Sequence, residues 1–253
     1  MHASIITARA GSKSILNKNA MALAGKPLVA YPIQASLDAE LIHQVFISTD
    51  GDEIAECGEA MGCTTIWRPE ELGGDSVNHG DVIKHAVEWV DERADNLENI
   101  VLLLGNTTMI DGQLIDDCLK RLDADSEIDS VMTVWEAADD HPLRALEIDP
   151  IDGLVYPYGN RDRDVSTERQ SYKKAYYYDQ GIWAFRKRCV QERTGPNPWW
   201  WMGQRCQPII RTWMTGRDIH TQFDVLFHEH YVANRDRFCE LEERTGTSAT
   251  VAE

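Results

Sequence analysis

The chain alternates between short runs typical of β-strands and stretches with helical spacing, one pair in about every twenty to thirty residues. The strand-like runs, rich in β-branched and aliphatic residues, are at 5–8, 44–48, 64–67, 100–104 and 130–134. The helical spacing of apolar residues predicts helices at about 25–37, 52–61, 81–93 and 112–122. This order predicts β-α-β units, and therefore an α/β fold with a mainly parallel sheet flanked by helices. In such sheets, ligands bind at the carboxyl ends of the strands.

The bulk composition excludes several classes of protein. At 253 residues, we expect residues 1–253 to form a single domain. The 42 acidic residues against 25 basic ones, a formal net charge of −17, argue against a nucleic-acid-binding surface. No apolar run approaches membrane-spanning length, and the first residues lack the pattern of a secretory signal. The six cysteines are scattered without a Cys-x-x-Cys pair, so we expect a cytoplasmic protein with reduced cysteines.

The first 37 residues carry four cations and no acidic residue, in a chain that is strongly acidic overall. A predicted strand leads directly into a loop that contains Arg9, Gly11, Lys13 and Lys18. Such a loop can present backbone N–H groups and positive side chains to phosphates, and a nucleoside triphosphate is the ligand that it favours. The loop matches neither the P-loop nor the dinucleotide-binding motif. An ordinary surface loop with scattered lysines is the alternative.

The second half of the chain has a different character. Strand-like runs at 146–148 and 154–158 flank a turn and predict a β-hairpin, and a polar stretch at 159–174 follows. The remaining predicted elements are strands at 176–178 and 181–185 and one long amphipathic helix at 221–243.

Two further features of this half have competing interpretations. The consecutive Trp199, Trp200 and Trp201 suggest a lid over the substrate, a subunit contact, or packing against the body of the same subunit. His228 and His230 are two residues apart and would point in different directions on a helix, so they do not indicate a metal site.

Short sequence blocks occur in order along nearly the whole chain: IITARAGSK at 5–13, KN at 18–19, AGKPL at 24–28, STD at 48–50, RPEEL at 68–72, DS at 75–76, HPLR at 141–144, RQ at 169–170, QG at 180–181 and DIHTQFD at 218–224. Together these blocks resemble the CMP-acylneuraminate synthetase family, to which the CMP-Kdo synthetases are related. Each block is weak alone, but their ordered succession is specific.

The resemblance implies a Rossmann-like fold and the transfer of CMP from CTP to a hydroxyl group of an acidic sugar, with Mg²⁺ bridging phosphate oxygens. The residues at the nucleotide-binding positions are Ala8, Arg9, Gly11, Ser12, Lys13, Lys18, Asn19, Arg68 and Asp75. Those at acceptor-binding positions are Asn106, Arg144, Arg169, Gln170 and Gln180. Arg9, Lys18 and Asp218 would be catalytic, and Asp218 and His220 would be the metal ligands.

The resemblance also implies a homodimer, because the hairpin and loop at 135–177 correspond to a dimerisation and substrate-binding extension. For Arg144 and Arg169, surface ion pairs with nearby acids such as Glu147 or Glu168 are the alternative to acceptor binding.

The chain departs from the family pattern in two places. His220 stands where a second Asp is usual, and imidazole is a poorer ligand for Mg²⁺. Mn²⁺ could replace Mg²⁺, Asp50 could supply a ligand, His220 could act as a general base, or it could have no chemical role. Leu104 and Ile110 stand where the family has Gln and Arg, which puts the usual nine-carbon acceptor in doubt and suggests a smaller or differently substituted acid.

The sequence therefore predicts a cytidylyltransferase for an acidic hydroxylated acceptor, with an acylneuraminate-like ulosonic acid as the first choice. Two alternatives stay open. Leu104 and Ile110 motivate a nucleotidyltransferase for another nucleotide, such as UTP or GTP, or for another acceptor, such as a phosphonate. His220 motivates a non-catalytic nucleotide-binding homologue.

Overall fold

Strands and helices alternate along most of the computed structural model, which describes residues 1–12, 14–74, 77–159, 168 and 171–245. The strands are β1 (His2–Thr7), β2 (Ala22–Leu23), β3 (Lys26–Pro27), β4 (Gln44–Thr49), β5 (Thr64–Trp67), β6 (Asn99–Leu104), β7 (Ser130–Glu136), β8 (Leu146–Ile148), β9 (Val155–Pro157), β10 (Tyr176–Arg186) and β11 (Cys206–Arg211). The helices are α1 (Ala30–Asp38), α2 (Asp52–Ala60), α3 (His79–Asp91), α4 (Gly112–Ala124), α5 (Lys187–Glu192), α6 (Gln222–Ala233) and α7 (Arg235–Thr245).

Seven of the described strands form one sheet in the order β11-β7-β10-β6-β1-β4-β5. β1 is parallel to both of its neighbours, β4 and β6, and β5 is parallel to β4. β10 is antiparallel to both β6 and β7, while β11 is parallel to β7. The predicted α/β fold with a mainly parallel sheet is confirmed.

The two faces of the sheet bury different residues, because side chains alternate across a strand. Ile5 and Leu102 point to the layer that contains α3. Ile6 and Leu103, the next residues along each strand, point to the layer that contains α1 and α4. Both faces of the sheet are covered, which explains why the sequences of these strands are apolar along most of their length.

The predicted helix at 25–37 begins later than expected, at Ala30. Residues 22–27 instead form the small hairpin of β2 and β3. Its turn residues Ala24 and Gly25 have φ angles of 46° and 85°, the left-handed conformation that a tight two-residue hairpin turn requires. The prediction was wrong here because the turn was read as a helix start.

Two predictions in the second half need correction. The strands at 176–178 and 181–185 are one strand, β10, with an irregularity between Tyr178 and Trp183 in which Gln180 has a φ of 55°. The helix at 221–243 is two helices, α6 and α7, because Asn234 leaves the helical conformation. The Asn234 side chain donates to the carbonyl of His230 at 2.8 Å and so closes the end of α6.

The three tryptophans pack against their own subunit. Trp200 and Trp201 are 6% and 3% exposed and join the core layer that contains α3. Trp199 is partly buried and contacts the ring of Tyr178 edge-on, with 4.7 Å between ring centroids. The packing interpretation is therefore confirmed for Trp200 and Trp201, and neither forms a lid.

The loop after β1 is held against a distant part of the chain by a small apolar cluster. Ile15, Leu23 and Leu28 pack there with Ile219 and Val225. The contact places the start of α6 beside the carboxyl end of β1. Within the described part of the chain, no helix has both the length and the apolar character needed to cross a bilayer.

Candidate active site

A cleft of about 240 Å³ opens at the carboxyl edge of the sheet, where the predicted fold places a ligand. Six residues predicted from the sequence line it together: Arg9, Ser12, Lys18, Asn19, Arg68 and Asn106. The other lining residues include the apolar Leu72, Val77, Val82 and Leu104, with Thr7, Gly74 and His79. The lining therefore consists of a polar, cationic set of residues and a largely apolar set, called below the polar half and the apolar half.

The basic loop after β1 is anchored at several points. The N–H of Ala8 donates to the carbonyl of Ser48 at 3.0 Å, and the N–H of Ala10 donates to the Asp50 carboxylate at 2.7 Å. The Asn19 side chain donates to the carbonyl of Arg9 at 2.9 Å. Asp50, considered above as a metal ligand, thus holds the loop in place.

Gly11 gives this loop its sharp turn. Its φ of 67° is favourable for glycine and strained for other residues, and no atom lies within 4 Å of the position that a Cβ would take. The backbone is therefore open to a ligand at this point. Lys13, a predicted phosphate ligand, lies outside the described residues, as does Asp75.

Lys18 connects the loop to the segment before α6. Its ammonium group donates to the carbonyl of Ile219 at 2.6 Å. Burial lowers the pKa of Lys18, and the nearby Asp218 carboxylate opposes this shift. The side chain of Asn106 donates to Asp218 at 2.7 Å and to the carbonyl of Ile219 at 3.1 Å. Residues distant in sequence are thereby brought to one side of the cleft.

Asp218 and His220 form a pair at this side. The Asp218 carboxylate is 7% exposed, and its Oδ1 lies 2.9 Å from Nε2 of His220, which is 61% exposed. Burial alone would raise the pKa of Asp218, but the hydrogen bond and charge of His220, the hydrogen bond from Asn106 and the charge of Lys18 lower it. The hydrogen bond to Asp218 raises the pKa of His220. At neutral pH, Asp218 is a carboxylate.

These two residues were predicted as the metal ligands. Among the described residues, no group of three or more His, Cys, Asp or Glu side chains is placed to hold a metal ion. Mg²⁺ in nucleotide sites needs only one or two protein carboxylates, because phosphate oxygens and water complete its shell. The Asp218 carboxylate, beside the cationic half of the cleft, meets that requirement, and His220 would add a nitrogen ligand better suited to Mn²⁺.

Arg68 closes the cleft on the side of β5. Its guanidinium donates to the Ser48 hydroxyl at 3.0 Å and to the Ser48 carbonyl at 2.8 Å. Burial lowers the pKa of Arg68 to about 10, so that it stays cationic at neutral pH. A charge held by fixed hydrogen bonds is oriented before a ligand arrives.

His79 was missed from the sequence. The predicted helix began at residue 81, but α3 begins at His79, and Asn78 caps it by accepting from the N–H of Gly80 at 2.8 Å. An Asn immediately before the first helical turn was the signal that could have placed His79 beside the strand ends. Its Nε2 lies 3.0 Å from the hydroxyl oxygen of Thr7, the last residue of β1.

Most predicted acceptor-binding residues do not meet in this cleft. Only Asn106 lines it. Gln180 is half-buried on the irregularity of β10, and Arg144 is an exposed residue that pairs with Asp139 at 3.3 Å. Arg169 and Gln170 lie outside the described residues. Their roles toward an acceptor stay predictions.

A buried ion pair that the sequence did not reveal contacts the loop at 105–110. Arg211 donates to the Asp179 carboxylate at 2.9 Å and also to the carbonyl of Met109. The two side chains are 8% and 0% exposed. Ile110, which stands where an Arg was expected, is buried in the core and does not line the cleft.

The chain is similar in sequence to two named enzymes. The chain is 43% identical over 83 residues to N-acylneuraminate cytidylyltransferase of Escherichia coli, a match that covers 33% of this chain and 20% of the relative. It is 36% identical over 107 residues to CMP-N,N'-diacetyllegionaminic acid synthase of Legionella pneumophila, covering 41% of this chain and 45% of the relative. The matches thus span less than half of each of these curated relatives.

The fold is also similar to that of a solved structure. A CMP:2-keto-3-deoxy-manno-octonic acid synthetase complexed with CTP superimposes with a TM-score of 0.67 at 15% identity, covering 92% of this chain and 99% of the other. This confirms the Rossmann-like architecture. Residues 3–193 match the family model described as cytidylyltransferase. The chain belongs to the cytidylyltransferase family.

Proposed function

We propose that this protein transfers CMP from CTP to a hydroxyl group of an acidic acceptor and releases pyrophosphate. The observation that carries the proposal is the mixed lining of the cleft, which combines the cations Arg9, Lys18 and Arg68 with apolar residues that a pyrimidine can contact. The family relation supports the choice of CTP.

The reaction requires little covalent chemistry from the protein. The acceptor hydroxyl oxygen forms a bond to the α-phosphorus of CTP, its proton passes to solvent, and the bond between the α-phosphorus and the pyrophosphate oxygen breaks. The N–H groups around Gly11 and the cations Arg9, Lys13 and Lys18 would neutralise the charge that develops on the leaving pyrophosphate. Lys18 is held by the Ile219 carbonyl, so it reaches this position preoriented.

Asp218, with His220, would hold the divalent metal. A bound Mg²⁺ or Mn²⁺ would supply charge neutralisation at the phosphate oxygens. Asn106 holds the Asp218 carboxylate at 2.7 Å and sets its orientation. His220 is the alternative to solvent as acceptor of the hydroxyl proton, because its imidazole is exposed beside the carboxylate.

The acceptor that we propose is an ulosonic acid of the acylneuraminate type, since relatives are named for neuraminic and legionaminic acids. Asn106 would contact it within the cleft, and Gln180, like Arg144, lies outside the cleft of its own subunit. Arg144, Arg169 and Gln170 would contact the acceptor from the extension at 135–177. Because Arg144 lies outside the cleft of its own subunit, its role would require a partner subunit.

We propose a homodimer formed through this extension. The hairpin of β8 and β9 exposes a group of large apolar side chains, which is unusual for a surface that faces water. They are Leu146, Ile148, Ile151, Leu154 and Val155, each more than half exposed. We also propose a cytoplasmic location, which the six unpaired cysteines support.

A different nucleotide or acceptor is the second candidate function, and Leu104 favours it. Its apolar side chain lines the cleft where the family pattern has a polar group. One panel of assays separates the two functions: pyrophosphate release from CTP, UTP, GTP and ATP, with a library of hydroxy acids and with Mg²⁺ or Mn²⁺. Mass spectrometry of the products identifies the acceptor.

In this panel, we expect turnover with CTP and an ulosonic acid. Arg9→Ala should lose at least about 99% of that turnover, because one phosphate-binding cation is worth several kcal/mol in the transition state. Lys26→Ala is the matched control, since Lys26 belongs to the same acid-free segment but is exposed and lies outside the cleft. Turnover by another nucleotide and none by CTP would refute the proposal.

A further inference from the structure

His79 links the apolar half of the cleft to the end of β1. Its Nε2 lies 3.0 Å from Thr7 Oγ1, and the Thr7 hydroxyl also donates to the carbonyl of Leu103 at 3.4 Å. The Leu103 carbonyl can only accept, so the single proton of the hydroxyl has two arrangements, donation to Leu103 or donation to His79 Nε2. In the first, the bond between His79 and Thr7 uses a proton on Nε2, and the other ring nitrogen, Nδ1, carries a lone pair.

The Nδ1 atom is available to a ligand. No group in the described part of the chain forms a hydrogen bond with it. The atom is not fully buried, and the residue lines the cleft. Burial, followed by the charge of Arg68, lowers the pKa of His79 to about 4. The ring is therefore neutral at physiological pH, and Nδ1 is a hydrogen-bond acceptor in the tautomer that has its proton on Nε2.

The ring is also held in a fixed orientation. The buried rings of Trp183 and Trp201 lie with their centroids 6.1 Å from that of His79, at interplanar angles of 57° and 76°. Packing from behind and a hydrogen bond at Nε2 leave the imidazole little freedom. A rigid acceptor in an apolar wall discriminates between ligands more strongly than a mobile one.

We propose that His79 selects the nucleobase, with Nδ1 accepting a hydrogen bond from the 4-amino group of cytosine. This inference rests on the proposed function, which places a pyrimidine in the apolar half of the cleft. Uracil has a carbonyl oxygen at the same position, and two acceptors facing each other would repel. Thr7 is a positioning residue, because its hydroxyl selects the tautomer of His79 that presents a lone pair.

The test is the binding of two nucleotides, measured by calorimetry with Mg²⁺ and without acceptor. One is CTP, and the other is its 4-deamino analogue, in which hydrogen replaces the amino group. In the wild type, the analogue should bind roughly tenfold to a hundredfold more weakly, the effect of losing one hydrogen bond in a dry site. His79→Phe keeps an aromatic ring and should bind the two nucleotides equally.

Two further variants test the tautomer. Thr7→Val removes the hydroxyl with little change of shape and should reduce the preference for CTP over UTP. Thr7→Ser keeps the hydroxyl and should retain that preference. His85→Phe is the matched control, because His85 lies on the same helix but outside the cleft, and it should leave both preferences unchanged.

The outcomes distinguish this inference from the proposed function. If the wild type binds and turns over CTP, but His79→Phe still discriminates against the analogue as strongly as the wild type, only the role of His79 is overturned. If the wild type does not distinguish CTP from the analogue, the role of His79 is likewise overturned. If the wild type binds neither CTP nor UTP, both the inference and the proposed function fail.

Discussion

His228 should make the fold sensitive to acid. The side chain is fully buried in α6, and its Nδ1 lies 2.7 Å from the hydroxyl of Thr108, in the loop that also carries Asn106. Burial lowers the pKa of His228 from 6.5 to about 4, although the charges of Asp224 and Asp218 oppose the shift. The folded protein therefore holds this imidazole neutral where the unfolded chain would already protonate it.

The sign and size of the effect follow from linkage. Between pH 6.5 and 4, the unfolded state binds more protons at this residue than the folded state, so the free energy of unfolding falls as the pH falls. With these two pKa values, the loss from His228 is near zero at pH 7.5 and about 2 kcal/mol at pH 5.

Urea unfolding of the wild type and of His228→Gln at both pH values measures this loss. Glutamine can still bond to Thr108 but does not titrate, so the variant should lose about 2 kcal/mol less than the wild type between pH 7.5 and 5. His230→Gln, at an exposed histidine of the same helix, is the control and should behave like the wild type. A difference below about 0.5 kcal/mol between the wild type and His228→Gln would refute the reasoning.

Three further predictions concern the site and its support. Asp218→Asn should bind CTP within about threefold of the wild type but lose at least about 100-fold in metal-dependent turnover; unchanged Mg²⁺ dependence would move the metal elsewhere. Arg211→Met should cost about 3–5 kcal/mol in urea unfolding because it leaves the buried Asp179 carboxylate unpaired, and adding Asp179→Asn should recover part of this; an additive double variant would contradict the pairing. Gly105→Ala should destabilise by about 1–3 kcal/mol, since its Cβ would lie 2.6 Å from that of Ala8; a thermal melt equal to the wild type would show that the backbone at Ala8 shifts at little cost.

The parts of the fold that the sequence predicted are those governed by local pattern. Alternating apolar runs and helical stretches gave the parallel strands β1, β4, β5 and β6. Of these, β1, β4 and β6 are buried on both faces, which makes their sequences largely apolar. The place of β10 between β6 and β7 depends on pairing between distant segments, which no local pattern records. The break at Asn234 was also missed, since a single capping side chain decides it.

The polar half of the cleft could be predicted, whereas the apolar half could not. Arg9 and Lys18 stand out because cations without acids are rare in so acidic a chain. Val77, Val82 and Leu104 look like any core residues until the fold places them around one opening. The ion pair of Arg211 was not predicted for a related reason, because its partner, Asp179, is 32 residues away in the sequence.

The bond from Lys18 to the Ile219 carbonyl joins residues 201 positions apart. During synthesis, β1, β4 and β6 leave the ribosome long before Ile219 does, so the nascent chain presents the basic loop without Asp218 beside it. A product of premature termination near residue 200 would retain the cationic loop and lack the carboxylate proposed to hold the metal. Such a fragment would also lack the Ile219 carbonyl and the apolar contacts that hold the loop, so the complete arrangement would form only after residue 219 has emerged.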